Sequence, residues 1–177
     1  MVMLVTASMA KAGNVKAAQT NRAVVYSKGS YGNMLRYNGV EVLTTFVVHS
    51  QNGVEYPAYC LDANMPGVGE VGNYYVDTTN LITDVNIWKI VKNGYPYKTP
   101  SELGCSNEKE AFAATKQAVY CQIYGRTAND YEAIGTSGER VKNAMAKILS
   151  AAQNTTQYNS EVQLYSNQSK FAVDHID

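Results

Sequence analysis

Two β-forming runs meet at Asn52-Gly53, and few features restrict a fold as tightly. Val42 to His49 is rich in Val, Thr and Phe, and Val54 to Leu61 follows after Ser50-Gln51-Asn52-Gly53. Asn-Gly is the dipeptide a type I′ turn demands, because both central residues need a positive φ. The pair therefore reads as an antiparallel hairpin in which His49 faces residue 56 or 57. Its returning arm ends in Tyr56-Pro57-Ala58-Tyr59-Cys60-Leu61-Asp62. Strand alternation puts Tyr59 and Leu61 on one face and Cys60 on the other. A thiol at the mouth of a strand can be a small buried hydrophobe, half of a disulfide or a nucleophile.

The flanking sequence supplies the rest of the frame. Ala23–Tyr26 and Met34–Tyr37 are strand candidates before the hairpin, and Asn73–Val76 is one after it. The first of these is expected to end at Lys28-Gly29-Ser30. From Asn80 the period turns helical, with Leu81, Val85, Trp88 and Val91 in register and Asn93-Gly94 as a stop. Tyr95 to Pro100, with two prolines, reads as a loop. A helix is expected from Ser106-Asn107 to Tyr124-Gly125, with Glu108 and Glu110 at its positive end. Thr136-Ser137-Gly138-Glu139 has the form of a capping box for a last helix, whose apolar face carries Val141, Ala144, Met145, Ile148 and Leu149. Glu161–Tyr165 and Lys170–Val173 are closing β-like segments.

Strands, then helices, then strands imply an α+β chain. The expectation is a β-sandwich or barrel-like part built from both chain ends, with a helical subdomain inserted over about residues 80–153. Residues 22–177 read as a single domain. Residues 1–21 read as a leader remnant or disordered N-terminus, given the apolar run ending in Ala10-Lys11-Ala12.

Composition removes several functions. Fifteen basic and fifteen acidic residues cancel, so no electrostatic footprint exists for nucleic acid or an anionic membrane. Outside the N-terminal run no apolar stretch approaches the length that spans a bilayer. Neither a cofactor nor a metal is expected, and the chain reads as a monomer. Three cysteines are an odd number, so at least one stands outside any internal disulfide. Cys105 and Cys121 are either a disulfide tying a helix to its entry segment or two buried thiols.

The second chemical feature lies in Ala113-Ala114-Thr115-Lys116-Gln117-Ala118-Val119-Tyr120, a helical stretch with a glutamine among small residues. On a helical wheel Gln117 falls with Ala113, Ala114, Cys121 and Tyr124, apart from a stripe of Phe112, Val119 and Ile123. Lys116 and Tyr120 border that stripe, where Lys116 can snorkel its amine into water. Together with Tyr59-Cys60-Leu61, this segment resembles the thioester domain of Gram-positive bacterial surface adhesins. That family pairs an aromatic-Cys-aliphatic strand motif with a helical Thr-Gln-x-Ala motif followed by an aliphatic and an aromatic residue. Thr115, Ala118, Val119 and Tyr120 fit the second motif. Strict spacing places Lys116 at the family's glutamine and Gln117 one position later.

The resemblance implies a thioester between Cys60 and Gln117, with Lys116 as the register alternative. It also implies a secreted, cell-wall-anchored adhesin domain, not an enzyme, that couples to a lysine amine of a host extracellular or matrix protein. Cys121, one helical turn from Gln117, competes as the sulfur only through a strained intrahelical closure. Two other readings stand beside it: a non-reactive structural module of a bacterial surface protein, and a cysteine hydrolase or transpeptidase. The last has only His49 and His175 to draw on, and His49 is out of step with Cys60 on the hairpin.

Overall fold

The structure, a computed structural model, describes residues 2–3, 22–51, 53–64, 68, 74–77, 80–82, 84–156, 164–166 and 171–173. In chain order the strands are β1 (Val2–Met3), β2 (Arg22–Tyr31), β3 (Leu35–Tyr37), β4 (Val40–Glu41), β5 (Thr44–Gln51), β6 (Val54–Cys60), β7 (Tyr74–Asp77) and β8 (Asn80–Ile82). The helices α1 (Val85–Lys92), α2 (Pro100–Leu103) and α3 (Glu108–Tyr124) follow. Then come β9 (Tyr131–Ala133), α4 (Gly135–Asn154), β10 (Leu164–Ser166) and β11 (Phe171–Val173). The α+β expectation holds. Most of the leader expectation, residues 4–21, and the loop residues Met65, Pro66 and Gly67 lie outside the described residues.

The chain divides into two compact units, one of residues 1–26, 47–83 and 159–177, the other of residues 27–46 and 84–158. In the first unit, the Asn-Gly hairpin forms as its sequence requires. β5 and β6 pair antiparallel with Gln51 opposite Val54 and His49 opposite Tyr56, and Gly53 takes φ 80°. The two chain ends do build one β structure, because Phe171 of β11 pairs with Cys60 of β6. β10 bridges β11 and β8, and β1 lies parallel on β11. The strand path runs β7-β2-β5-β6-β11-β10-β8, an open order among the described residues. Leu81, placed by its spacing in a helix, lies instead in β8, where it pairs with Tyr165. Asp84 explains the later helix start: its carboxylate accepts from the Asn86 and Ile87 N–H groups and caps α1.

In the second unit, α1, α3 and α4 pack against one another, and β3, β4 and β9 form a small separate sheet against α4. Residues Glu110 to Cys121 of α3 are all buried, so α3 is a core helix covered on every side. Asn107 caps its start and Gly125, at φ 65°, ends it, both as the sequence implied. Two local expectations give way to tertiary partners. The strand from Arg22 runs through Lys28-Gly29-Ser30 to Tyr31, because Gly29 alone absorbs the break with φ 111°. The Thr136 capping box does not cap α4. Its N-cap is Ile134, whose N–H goes to the Met34 carbonyl, while the Ser137 hydroxyl donates to Glu110. The proline-bearing loop also contains a short helix, α2, capped by a reciprocal Thr99–Glu102 box.

Candidate functional site

Cys60 ends β6 in the first unit, 8% exposed, between the fully buried Tyr59 and the turn at Asp62. Its thiol donates to the Asp62 carbonyl at 3.1 Å. The Asp62 carboxylate accepts the Asn64 N–H at 2.9 Å, so the turn leaving the strand is held locally. His49 is buried and stacked on Tyr56, ring centres 5.2 Å apart. Tyr56 lies four residues before Cys60 on one strand, about 13 Å away along the chain. That spacing leaves His49 far out of reach as a base for this thiol.

Gln117 and Lys116 lie in α3 of the second unit. Gln117 is 2% exposed and Lys116 is 9% exposed. Lys116 therefore does not snorkel into water; its ammonium sits 5.9 Å from the centre of the Tyr120 ring. The stripe read from the sequence also dissolves, since burial extends all round the helix.

Helix geometry says which way each side chain leaves the axis. Seven residues turn through about 700°, so Gln117 points within about 20° of Glu110, and about 40° from Cys121. Glu110 binds Ser137 and Arg140 of α4, and Cys121 lies beside Tyr131 of β9. Gln117 thus occupies the face of α3 turned to α4. Lys116 shares its direction, within about 40°, with Phe112 and Tyr120. The Phe112 ring meets Phe46 at 4.4 Å.

Thr115, the first residue of the helical motif, works on a third side. Its hydroxyl accepts the Tyr95 N–H at 2.9 Å and donates to the Ala111 carbonyl at 2.9 Å. A Cβ on Gly94 would meet the Thr115 side chain at 2.5 Å, so the chain passes close enough only as glycine. Tyr95 in turn lies edge-on to Phe46, and burial followed by the neighbouring Glu108 pushes its phenol up to about 12.

The other thiols answer the question the sequence left open. All three cysteines are free, so Cys105 and Cys121 are buried thiols and not a disulfide. Burial pushes both up to about 11, helped at Cys105 by Glu110. Neither is a ready nucleophile.

Sequence reasoning missed the strongest electrostatic feature of this unit. Glu110, read as a dipole-complementing acid, is 3% exposed and accepts two bonds from Arg140, at 2.9 and 2.7 Å, besides those from Ser106 N–H and Ser137. Arg140 first, then the Ser106 and Ser137 bonds, hold its carboxyl down at about 2. The available signal was its position, third in a helix with no exposed face. Among the described residues no cluster of His, Cys, Asp or Glu could hold a metal, and no helix is long and apolar enough to cross a membrane.

Comparison with known proteins places both motifs in one family. The sequence profile of the thioester domain family matches residues 57–154, which contain Cys60, Lys116 and Gln117. No curated protein matches the chain. Among solved structures, it is similar to the Bacillus anthracis TIE protein, with 25% identity and TM-score 0.65 over 77% of this chain. The chain spans 25% of that protein. It is also similar to the thioester domain of the Enterococcus faecium TIE86 protein, with 22% identity and TM-score 0.62 over 77% of this chain and 51% of that one. The N-terminal thioester domain of fibronectin-binding protein SfbI from Streptococcus pyogenes matches at 13% identity and TM-score 0.52, over 94% of this chain and 100% of that one. The last two likenesses concern the fold alone. With its Cys60 strand motif and Gln117 helix motif inside the matched region, the chain belongs to the thioester domain family of Gram-positive surface proteins.

Proposed function

We propose that this domain is a covalent adhesin head that couples to lysine amines on a host extracellular or matrix protein. The observation that carries the reading is a thiol and a carboxamide, Cys60 and Gln117, both buried within the region of the thioester profile. In the proposed chemistry a Cys60 thiolate attacks the Gln117 side-chain carbonyl, ammonia leaves, and a thioester forms. An incoming lysine amine then displaces the sulfur. The product is an amide on the Gln117 acyl group, and the Cys60 thiol is released. Each domain reacts once, so it is a reagent and not an enzyme. Burial keeps water from the acyl group until a docked amine arrives, and docking supplies a high effective concentration of that amine. The SfbI neighbour, a fibronectin-binding protein, supports a host-protein partner and a cell-surface location.

Intact mass tests the reading directly. A fresh, amine-free chain should weigh one ammonia less than its sequence, with the change mapped to Cys60 and Gln117. Methylamine should add at Gln117, and Cys60→Ala should lose both the mass defect and the adduct while keeping the fold. Methylamine addition at no glutamine sinks the proposal.

One observation favours a second reading. Strict motif spacing puts Lys116, and not Gln117, at the family's glutamine position. On that reading the domain is a non-reactive structural module of a surface protein. It predicts an unmodified mass and a Cys60 thiol that survives intact.

A further inference from the structure

Asn-Gly pairs stand in this sequence at 38–39, 52–53 and 93–94, and the fold places the first and the last of them in opposite settings. Asn52 lies outside the described residues. Asn93 ends α1, with its carboxamide donating to the Lys89 carbonyl at 2.8 Å and to the Thr155 hydroxyl at 2.9 Å. The Gly94 that follows is buried, and its N–H donates to the Val91 carbonyl at 2.9 Å. Both groups of that pair are committed. Asn38-Gly39 instead forms the two-residue turn between β3 and β4. Tyr37 stands opposite Val40, and the central residues take φ of 51° and 76°, the type I′ form. Bonds across such a turn join the flanking residues and leave the central amide to solvent. Asn38, Gly39 and Val40 are all exposed, and a Cβ on Gly39 would meet no atom within 4 Å. Among the described residues the Asn38 carboxamide has no hydrogen-bond partner.

We propose that Asn38 is a modification site, where the folded chain deamidates itself to isoaspartate and aspartate. The Gly39 nitrogen gives its proton to base and attacks the Asn38 side-chain carbonyl carbon. A carbon–nitrogen bond forms within the chain, the bond to the carboxamide nitrogen breaks, and that nitrogen leaves as ammonia with a proton from water. The product is a succinimide ring. Water then adds at one of the two ring carbonyls and opens the ring, giving aspartate by one route and isoaspartate by the other. Nucleophile and acyl group sit in neighbouring residues, so no partner has to be captured. No side chain crowds the attacking nitrogen, because its residue is glycine. Isoaspartate routes the main chain through the side-chain carbon and lengthens the turn by one atom. A two-residue turn sets the pairing of Tyr37 with Val40 only at its own length. The β3–β4 pairing therefore loosens, and with it the bond from the Val42 N–H to the Leu35 carbonyl. This chemistry is independent of any thioester. Its succinimide is lighter by the same one ammonia, and position in the chain tells the two apart.

The test ages the whole folded chain in mildly alkaline buffer and follows each asparagine by tandem mass spectrometry, with electron-transfer fragmentation to separate isoaspartate from aspartate. Asn38 should convert at least about tenfold faster than Asn93, which reacts only when its bonds open locally. In denaturant both are solvated Asn-Gly pairs, and their rates should come within about threefold of each other. Hydrogen exchange at the Val42 amide should quicken as isoaspartate accumulates. Asn38→Gly, which keeps a residue at ease with positive φ, should abolish the conversion and leave the aged Val42 amide protected. Equal rates at Asn38 and Asn93 in the folded chain, or no conversion at Asn38, overturns the proposal. So does a Val42 amide equally protected in the aged wild type and the aged variant.

Discussion

The Glu110 carboxylate and the Arg140 guanidinium meet edge to edge, with Nε and Nη2 donating to the two oxygens at 2.9 and 2.7 Å. They join α3 to α4 at a point where the carboxylate is nearly closed to water. Burying a carboxylate costs several kcal/mol unless a partner and further donors satisfy it. Here the Ser106 N–H and the Ser137 hydroxyl complete the set. Removing Arg140 leaves the buried carboxylate without its partner, whereas the Arg140 side chain, 36% exposed, can turn to water.

The first prediction follows from that pair. The folded Glu110 carboxyl is held at about 2, below the usual 4.5. A depressed acid contributes stability that is complete above pH 4.5 and is lost as pH falls through 2. A gap of this size corresponds to about 3 kcal/mol. Urea titrations at pH 7, 4 and 2.5 should show that loss. Glu110→Gln should cost about 3 kcal/mol at pH 7 and flatten the acid limb between pH 4.5 and 2. An unchanged acid limb in the variant would show that other groups carry it.

Gly138 gives a sharper steric test. A Cβ there would stand 2.0 Å from the Met34 carbonyl oxygen and 3.1 Å from the Ala133 carbonyl carbon, both backbone. Backbone cannot rotate away as a side chain can. Gly138→Ala should cost about 3 kcal/mol, or roughly 6–12 °C in Tm, despite the better helix propensity of alanine. A variant as stable as the wild type in a thermal scan would mean that α4 does not approach Met34 this closely.

Thr115 can be tested at constant volume. Thr115→Val keeps the shape against Gly94 but leaves the half-buried Tyr95 N–H without its acceptor. The expected loss is about 1–3 kcal/mol. Faster hydrogen exchange at the Tyr95 amide should accompany it. A protected Tyr95 amide in the variant would assign the loop's order to Phe46 packing.

Thiol reactivity is the last test. Cys105 and Cys121 are buried and raised to about 11, so iodoacetamide at pH 8 should leave both unmodified in the native chain. In denaturant both should react. Mass spectrometry that finds either one alkylated without unfolding would contradict the burial described.

Much of this molecule was legible in the chain itself. Asn52-Gly53 set the hairpin and its register because the turn geometry has few alternatives, so His49 faces Tyr56 as expected. Asn107 and Gly125 marked the ends of α3 because caps act within one turn of the residues they satisfy. The motif residues around Cys60 and Gln117 were enough to identify the family.

Tertiary structure decided what depends on distant partners. The Thr136 box lost its role because Ile134 found the Met34 carbonyl and Ser137 found Glu110. Leu81 carried a helical spacing but paired in a strand, since a single apolar residue at the edge of a pattern fits either period. Lys116 left solvent because the helix bearing it is covered on every side, a property of its neighbours and not of its own sequence. Glu110 became half of an ion pair because folding brought Arg140, thirty positions along the chain, against it. Local spacing carries information about one turn of helix or one strand pair. Burial and charge pairing are set by segments far apart in sequence, which only the folded chain brings together.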